Sequence, residues 1–353
     1  MHAIASQMDR KCKLVAGCFS SNIDINKASG KKYGITSTRV YTNWQTLVEK
    51  EAKRIDAVVI LTPTGTHFEI VLRCIEIGLP VICEKALTSS SKHALAISEE
   101  LKRKKGFLAV TYNYSGYPMV REFRAMIEDG VLGKVLYFHA EIPQETYLRL
   151  DEKGNCLPIQ SWRLEDGKIP IIYLDLCVHL HHLIHYLVGE TPLRVTTDQR
   201  KLSTLNVVDH VTSLCNYKSD VTGTMTFGKA LIGYGNGLRV KIYGDLASAE
   251  WSQEDPEKIQ FCSNADHIKI IKKGPYTKIA NLRRYNRFKH GHPSGFIEAF
   301  ANLYTDIAEQ LLNHDNPSFK NTDVFGVEHA IEGLKLIEGM VASSSKEAWV
   351  NIN

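Results

Sequence analysis

The chain has 353 residues, more than one hydrophobic core usually serves, so two domains are expected. Hydrophobic residues make up 44% and charged residues 23% of the sequence, which excludes a disordered or fibrous chain. The net charge of +4 is too small to predict a nucleic-acid partner, and no apolar run approaches the ~20 residues that a membrane-spanning helix needs.

The first ~110 residues alternate short apolar runs with helical patterns, which is typical of a parallel sheet covered by helices on both faces. Strands are predicted at residues 14–19, 57–61, 81–83 and 107–111. Helices are predicted at residues 24–33, 44–53, 67–77 and 90–103. Residues 1–113 are therefore interpreted as a doubly wound, nucleotide-binding α/β domain.

From residue 114 onward the pattern changes to that of an α+β domain, 114–353, which should bind substrate and mediate oligomerisation. A helix at 118–128 and a strand at 135–141 precede an irregular stretch and an apolar segment at 171–188. Period-two alternation then predicts strands without intervening helices, at 195–197, 211–217, 222–227, 238–243 and 268–272. The sheet should be mostly antiparallel, followed by helices at 295–312 and 327–343.

Polar residues follow each predicted strand of the first domain. In open α/β sheets, ligands bind outside the carboxyl ends of the strands, so these residues are candidates for cofactor binding. They are Ser20, Ser21, Thr62, Pro63, Thr64, His67, Glu84, Lys85 and Asn113. Loops are polar in any case, which is the better explanation for Ser21 or Thr62 alone. Lys85 is more specific, because it follows a wholly apolar strand and should lie in a partly desolvated cleft.

Several motifs occur together in a fixed order, including "LTPTGTHFEIVLRCIEIGLPVICEKAL", "QSWRLEDG", "YLDLCVHLHHL" and "GHPSGFIEAFANLY". In this order they resemble the glucose–fructose oxidoreductase / inositol dehydrogenase / MocA family over essentially the whole chain. The resemblance implies a Rossmann-type first domain and NAD(P)-dependent transfer of hydride to or from a secondary hydroxyl or ketone. The implied substrate is a sugar, a sugar derivative or an inositol-like cyclitol. The implied catalytic residues are Lys85, Asp175 and His179.

The spacing of two of these residues favours the same chemistry. Asp175 and His179 are four apart, so on a helix they share one face, and the carboxylate could fix the imidazole tautomer. His179 would then act as general base on the hydroxyl, while Lys85 stabilises the charge that develops on its oxygen. For His179 alone, a helix histidine with satisfied hydrogen bonds is the commoner situation.

Four further residues are weaker candidates. Trp162 and Arg163 resemble the family's pair near the cofactor, although a surface tryptophan covered by an arginine stem is an equal alternative. His182 is a candidate substrate contact. His292 resembles a substrate-side turn, but a helix cap alone would explain it.

The histidine run of segment 171–188 raises the alternative of a metal site. His181 and His185 are four apart and His182 and His185 three apart, which are workable ligand spacings. The histidines nevertheless point to different faces, and no cysteine or glutamate within the segment completes a site. No metal is therefore predicted.

The sequence departs from the family pattern at three places. Ala86 replaces the proline that usually follows the lysine, which should loosen that turn. Ser20 replaces the acidic residue that binds the ribose diol in NAD-preferring members, so NADP is at least as plausible as NAD and slightly favoured. No Gly-x-Gly-x-x-Gly motif occurs near the start, and "MHAIASQMDRK" resembles the second half of the first helix. We therefore expect a first strand and glycine turn encoded upstream.

Two rival functions follow from these departures. One is a catalytically silent, ligand-binding or regulatory relative, which loss of the phosphate-binding turn would favour. The other is a metal-dependent aldolase or isomerase built on the histidine run. Eight cysteines without a Cys-x-x-Cys pair, and no signal-peptide core, indicate a cytoplasmic protein. A homo-oligomer, either dimer or tetramer, is expected.

Overall fold

The computed structural model describes residues 1–289 and 291–352, which form two compact units. The first unit consists of Met1–Thr88, Lys92–Thr111 and Phe300–Glu328. The second consists of Ser89–Ser91, Tyr112–Ala299 and His329–Asn353. The predicted boundary at 113/114 thus lies two residues from the observed change at 111/112. The return of 300–328 to the first unit was not predicted.

The first unit contains a three-stranded parallel sheet in the order β1-β2-β3. Its strands are β1 (Val58–Ile60), β2 (Val81–Cys83) and β3 (Leu108–Val110). Every residue of β2 and β3 is buried, which explains why these strands are uniformly apolar. The helices in this part of the chain are α1 (His2–Met8), α2 (Ile23–Lys32), α3 (Trp44–Glu51), α4 (Thr64–Glu76) and α5 (Ser91–Lys104). The predicted Rossmann-like parallel sheet is confirmed.

The predicted strand at 14–19 is wrong in detail. This segment makes only an isolated parallel bridge, between Gly17 and Val40. Val40 lies between a 3-10 turn, Ser37–Arg39, and the residues leading into α3. Too little extended chain is available there to continue a ladder.

The C-terminal segment Phe300–Glu328 completes the first unit beside β3. The backbone amide of Val110 donates to the carbonyl of Phe325 at 2.8 Å, and the ring of His314 meets Phe107 edge-to-face at 5.4 Å. The sequence prediction had placed this segment in the second domain. Its place depends on a long-range contact that no local pattern encodes.

The second unit contains a nine-stranded sheet in the order β11-β10-β9-β8-β4-β7-β6-β5-β12. Neighbouring strands are antiparallel except for the parallel pair β4 and β7, which confirms the expected mostly antiparallel sheet. The strands are β4 (Val135–Pro143), β5 (Pro192–Arg200), β6 (His210–Tyr217), β7 (Thr222–Gly228), β8 (Arg239–Gly244), β9 (Ala247–Ser252), β10 (Lys258–Ser263), β11 (Lys269–Lys272) and β12 (Val350–Asn351). Strands β9 and β10 were not predicted.

Four more helices follow in chain order: α6 (Pro118–Glu128), α7 (Val178–Val188), α8 (Phe296–Leu312) and α9 (Val327–Lys346). Helix α7 contacts β4, and α6 contacts β9 and β10, so one face of the sheet is covered. Trp251, Phe138 and Phe227 are fully buried there. The alternation of buried and exposed residues along β6 leaves the opposite face open to solvent. Within the described ranges, no helix has the length and apolar character to cross a membrane.

Candidate active site

Glu84 and Lys85 follow β2 in the first unit and form its most polar turn. The carboxylate of Glu84 accepts a hydrogen bond from the Thr111 hydroxyl, and its Oε1 lies 3.3 Å from Nε2 of His2. Burial raises the pKa of Glu84, but the hydrogen bond from His2 and the neighbouring charges outweigh it, so the net shift is downward. Glu84 is therefore a charged anchor for the turn. Lys85 is half-buried, and the peptide bond that joins it to Ala86 is cis.

His67, predicted to bind the cofactor, is fully buried in α4. Its Nδ1 lies 2.9 Å from the carbonyl of Ala86, and its Nε2 lies 2.7 Å from the carbonyl of Thr62. The ring thus joins the turns that follow β1 and β2. Because no surface of the side chain is open to a ligand, we infer that His67 positions these turns rather than touching a cofactor.

The loop before α2 contains the residue expected to discriminate between NAD and NADP. The Ser20 hydroxyl accepts a hydrogen bond from the amide of Asn22 at 3.1 Å. The Asn22 side chain in turn accepts from the amides of Asp24 and Ile25, so it caps α2. Ser20 is half-buried, whereas Ser21 is exposed.

These loops suit a nucleotide by the chemistry of their groups. Ser21, Thr62 and Pro63 are exposed, and the last two follow the apolar strand β1. Helix α4 begins after Pro63, and among the described residues no side chain caps it. Hydroxyls and the first amides of a helix are suitable partners for ribose and phosphate oxygens, so the residues present fit a dinucleotide.

Asp175 is the centre of the polar cluster in the second unit. It lies in a π-helical turn, Tyr173–Cys177, that leads directly into α7. Its carboxylate accepts a hydrogen bond from Arg163, and its Oδ2 lies 2.9 Å from Nζ of Lys229. Two cations therefore hold the carboxylate. The sequence prediction placed Asp175 and His179 on successive α-helical turns, whereas the wider π turn changes that register.

Arg163 links this carboxylate to the predicted tryptophan–arginine pair. Both residues of the pair lie in a 3-10 turn, Ser161–Arg163, and the guanidinium is 4.3 Å from the Trp162 ring centroid. The Tyr147 hydroxyl donates to the Arg163 carbonyl at 3.1 Å. The arginine is thus a structural part of the cluster around Asp175, and the alternative of a simple surface pair is not favoured.

Lys229 was missed by the sequence prediction. It follows β7, Gln144 follows β4, and these two strands are parallel, with Pro143 opposite Gly228. The strand ends therefore coincide, and Nζ of Lys229 donates to Oε1 of Gln144 at 2.8 Å. Lys229 is only 4% exposed, so its charge is balanced mainly by Asp175. Strand β7 alternates threonine with buried residues, unlike the wholly apolar strand before Lys85, so no local signal marked Lys229.

His179 lies on α7 and is largely buried. Its ring meets Tyr114 edge-to-face, with centroids 4.8 Å apart. The Tyr114 hydroxyl accepts a hydrogen bond from Asn236 at 3.0 Å. Burial raises the pKa of Tyr114 to about 12, against the opposing effect of Asn236 and with a further rise from the charge of Asp175. Tyr114 is therefore a neutral phenol, beside both His179 and Asn113.

The two predicted substrate residues differ in their surroundings. His182 is buried, its ring stacks on Tyr112 at 4.4 Å, and its Nδ1 lies 3.0 Å from Nε2 of His329. Its ring packs within the protein interior, and the prediction that it touches substrate stays a prediction. His292 is exposed and lines a cavity of about 350 Å³ with Tyr285, among other residues, so its role stays a prediction.

Two family models match different parts of the chain. The family model described as "Oxidoreductase family, NAD-binding Rossmann fold" matches residues 1–112, and the "GFO/IDH/MocA C-terminal domain" matches residues 120–250. The chain belongs to the GFO/IDH/MocA family. It is thus an oxidoreductase-family protein with a nicotinamide-binding domain.

Relatives within the GFO/IDH/MocA family match nearly the whole chain. The oxidoreductase YfiI of Bacillus subtilis (strain 168) is 29% identical over 99% of this chain and 92% of its own length. The levoglucosan dehydrogenase of Pseudarthrobacter phenanthrenivorans is 22% identical over 94% of this chain and 88% of its own. A crystal structure of an inositol dehydrogenase homolog from Azotobacter vinelandii, complexed with NADH and myo-inositol, aligns with a TM-score of 0.89. It is 26% identical, covering 99% of this chain and 93% of that one.

Proposed function

We propose that the protein is an NAD(P)-dependent dehydrogenase that oxidises a secondary hydroxyl of a sugar, sugar derivative or cyclitol, or reduces the corresponding ketone. The observation that carries the proposal is the carboxylate of Asp175, held by Arg163 and Lys229 four residues before His179. A half-buried carboxylate that is held by two cations is fixed in place. Such a group can orient a neighbouring base.

In the proposed reaction, His179 takes the proton from the substrate hydroxyl, and Asp175 favours the charged form of the imidazole. A bound nicotinamide supplies the hydride acceptor. Lys85 belongs to the first unit, and its assignment rests on the family resemblance. In this assignment, Lys85 stabilises the negative charge that develops on the substrate oxygen. Tyr114 limits access of water to one side of the His179 ring.

The polar side chains of the second unit support a polyhydroxylated substrate. Gln144, Asn236 and Tyr114 offer both donors and acceptors, as hydrogen bonds to vicinal hydroxyls require. The names of two relatives support the same class, since one is a levoglucosan dehydrogenase and the other an inositol dehydrogenase homolog. We propose a ring with several hydroxyl groups.

For the nucleotide, we propose that NADP is accepted at least as well as NAD, because Ser20 places no negative charge in the loop before α2. The solved relatives carry NADH or NAD⁺, so NAD is the natural alternative. A catalytically silent binding protein remains the rival function, and it is distinguished by the experiment below.

The test begins with fluorescence titration of NADH and NADPH, followed by assays of nucleotide-linked oxidation of myo-inositol and levoglucosan. His179→Ala and Lys85→Ala should each lower kcat by about 100-fold or more, the usual range for a positioned proton-transfer or charge-stabilising group. Affinity for NADH should change far less. The exposed His267, replaced by alanine, is the matched control and should retain full activity.

Two results would contradict the proposal. Near-normal turnover in either active-site variant would remove that residue from the mechanism. Nucleotide binding with no turnover on any polyol would favour the silent relative.

A further inference from the structure

Helices α7 and α9 bring together a cluster of metal-ligating side chains that the proposed reaction does not use. His181 and His185 lie four apart on α7, and His329 and Glu332 lie three apart on α9, so each pair shares a helix face. Ligand atoms of His181, His329 and Glu332 all lie within 4.8 Å of one another. The glutamate that the histidine run lacks in sequence is thus supplied by the facing helix.

His181 is the side chain that points to a ligand. It is 1% exposed, and within the described residues neither of its ring nitrogens makes a hydrogen bond. Its Nε2 lies 3.4 Å from Oε1 of Glu332. The ring lies against Gly333, where an added Cβ would come within 2.7 Å of it, so the glycine makes room for the imidazole. A buried imidazole without hydrogen bonds is costly, and an ion would satisfy it.

Two neighbouring histidines hold the candidate ligands in place. Nδ1 of His185 lies 2.9 Å from Oε1 of Glu332, and Nδ1 of His182 lies 3.0 Å from Nε2 of His329. Metal ligands in proteins are oriented by outer hydrogen bonds of this kind. The cluster therefore contains both an inner set of ligands and an outer set that fixes them.

We propose that His181, His329 and Glu332 bind one divalent transition-metal ion, with zinc the best match to this ligand set. The ion joins α7 to α9 and stabilises the helix that also carries His179. Ligands of one tetrahedral zinc ion lie about 3.4 Å apart, so binding requires side-chain rotations on the order of 1 Å. Metal sites between facing helices also use a histidine and a glutamate three residues apart, although there the order is Glu-x-x-His and here it is His329-x-x-Glu332.

The test uses the full chain without a histidine tag, dialysed against EDTA and then titrated with Zn²⁺ in competition with a chromophoric chelator. We expect one zinc ion per chain, a micromolar or tighter Kd, and a rise of several degrees in Tm on zinc addition. A stoichiometry near zero at micromolar zinc, or a Tm that zinc does not raise, would overturn the proposal.

Substitutions locate the site. Glu332→Gln removes the anionic ligand while keeping the side-chain shape, and it should weaken zinc binding at least 30-fold and abolish the zinc-dependent rise in Tm. His181→Asn should do the same, and comparison of each variant's metal-free Tm with that of the wild type separates misfolding from lost binding. His267→Gln is the control and should bind as the wild type does. Unchanged zinc affinity in Glu332→Gln would place the ion elsewhere and refute the site.

Discussion

In the proposed function, Ser20 occupies the position at which a carboxylate would select for NAD, and this single side chain leads to a direct prediction. Ser20→Asp should shift the ratio of kcat/KM values toward NAD by about tenfold or more, because the new carboxylate accepts from the ribose diol and repels a 2′-phosphate. The loop should keep its shape, since the new side chain can still accept from the Asn22 amide as the serine hydroxyl does. Steady-state kinetics with both nucleotides provide the measurement.

The control for this prediction is Ser21→Asp, which adds the same charge at the exposed neighbouring position. Ser21→Asp should change the ratio of kcat/KM with NAD to kcat/KM with NADP much less than Ser20→Asp does. Nucleotide choice depends on other residues if the two variants give equal ratios, or if the ratio in Ser20→Asp is the same as in the wild type.

At the level of single residues, sequence reasoning found those that follow a strand or belong to a recognisable motif. Lys85, Asp175 and His179 were predicted in this way, and their catalytic roles stay predictions. Lys229 was missed, because its importance comes from the parallel pairing of β4 and β7, which brings it to Gln144. Arg163 is twelve residues from Asp175 and was predicted as a site residue, whereas Lys229 comes from a distant segment, and no local pattern encodes its contact with Asp175.

Individual helices were more predictable than individual strands. The helices predicted at 118–128 and 295–312 are observed within one residue of their predicted ends, because apolar residues repeat at the helical period. Strand β9 has the sequence ASAEWS, in which two of the three buried residues are alanines beside small serines, so the alternation is hard to see. The short strands of the first unit were recognisable only as apolar runs between glycine and proline signals.

Helix α3 ends at a buried charge that makes a second prediction. The Glu51 side chain is fully buried, accepts two hydrogen bonds from Arg39 and a third from the Tyr41 hydroxyl, and lies near Arg54. Replacing it with glutamine leaves the Arg39 charge without its partner. Glu51→Gln should therefore lower the free energy of unfolding at pH 7 by about 3 kcal/mol, measured by urea denaturation.

The lowered pKa of Glu51 determines how the effect of Glu51→Gln changes with pH. The hydrogen bond from Arg39, despite the opposing effect of burial, lowers the pKa of Glu51 below its ordinary value. A carboxyl whose pKa is lower in the folded state stabilises the fold above its unfolded pKa of about 4.3, and this stabilisation is lost as the pH falls. The difference in the free energy of unfolding between Glu51→Gln and the wild type should thus be fully present at pH 7 and decrease below about pH 4. Glu49→Gln, an exposed change on the same helix, should have little effect at any pH.

For the whole molecule, the uncovered face of the nine-stranded sheet is the surface on which we expect a second copy to bind. Leu214 is 47% exposed on this face, in the middle of strand β6, and is paired with Thr224 of the adjoining strand β7. Light scattering after size exclusion should give a mass that is a multiple of 39.7 kDa. Leu214→Glu should reduce that mass, because a charge at the centre of an interface is costly to bury.

The matched control is Leu312→Glu, since Leu312 is 82% exposed at the end of α8 and lies outside the sheet. It should leave the mass unchanged. A wild-type protein that elutes with the mass of one chain would contradict the prediction outright.

The last segment of the first unit, Phe300–Glu328, is synthesised after most of the second unit. This order of synthesis matters during translation. The amide of Val110 in β3 pairs with the carbonyl of Phe325, which leaves the ribosome more than two hundred residues later. Domains of nascent proteins generally fold as units, the N-terminal one first. Here the apolar strands β1 to β3 are synthesised long before the segment Phe300–Glu328 that completes their unit. Chaperones that bind nascent chains therefore have a long interval in which to act. For the same reason, a gene fragment cut at residue 113 would encode a nucleotide-binding half that lacks its own last piece.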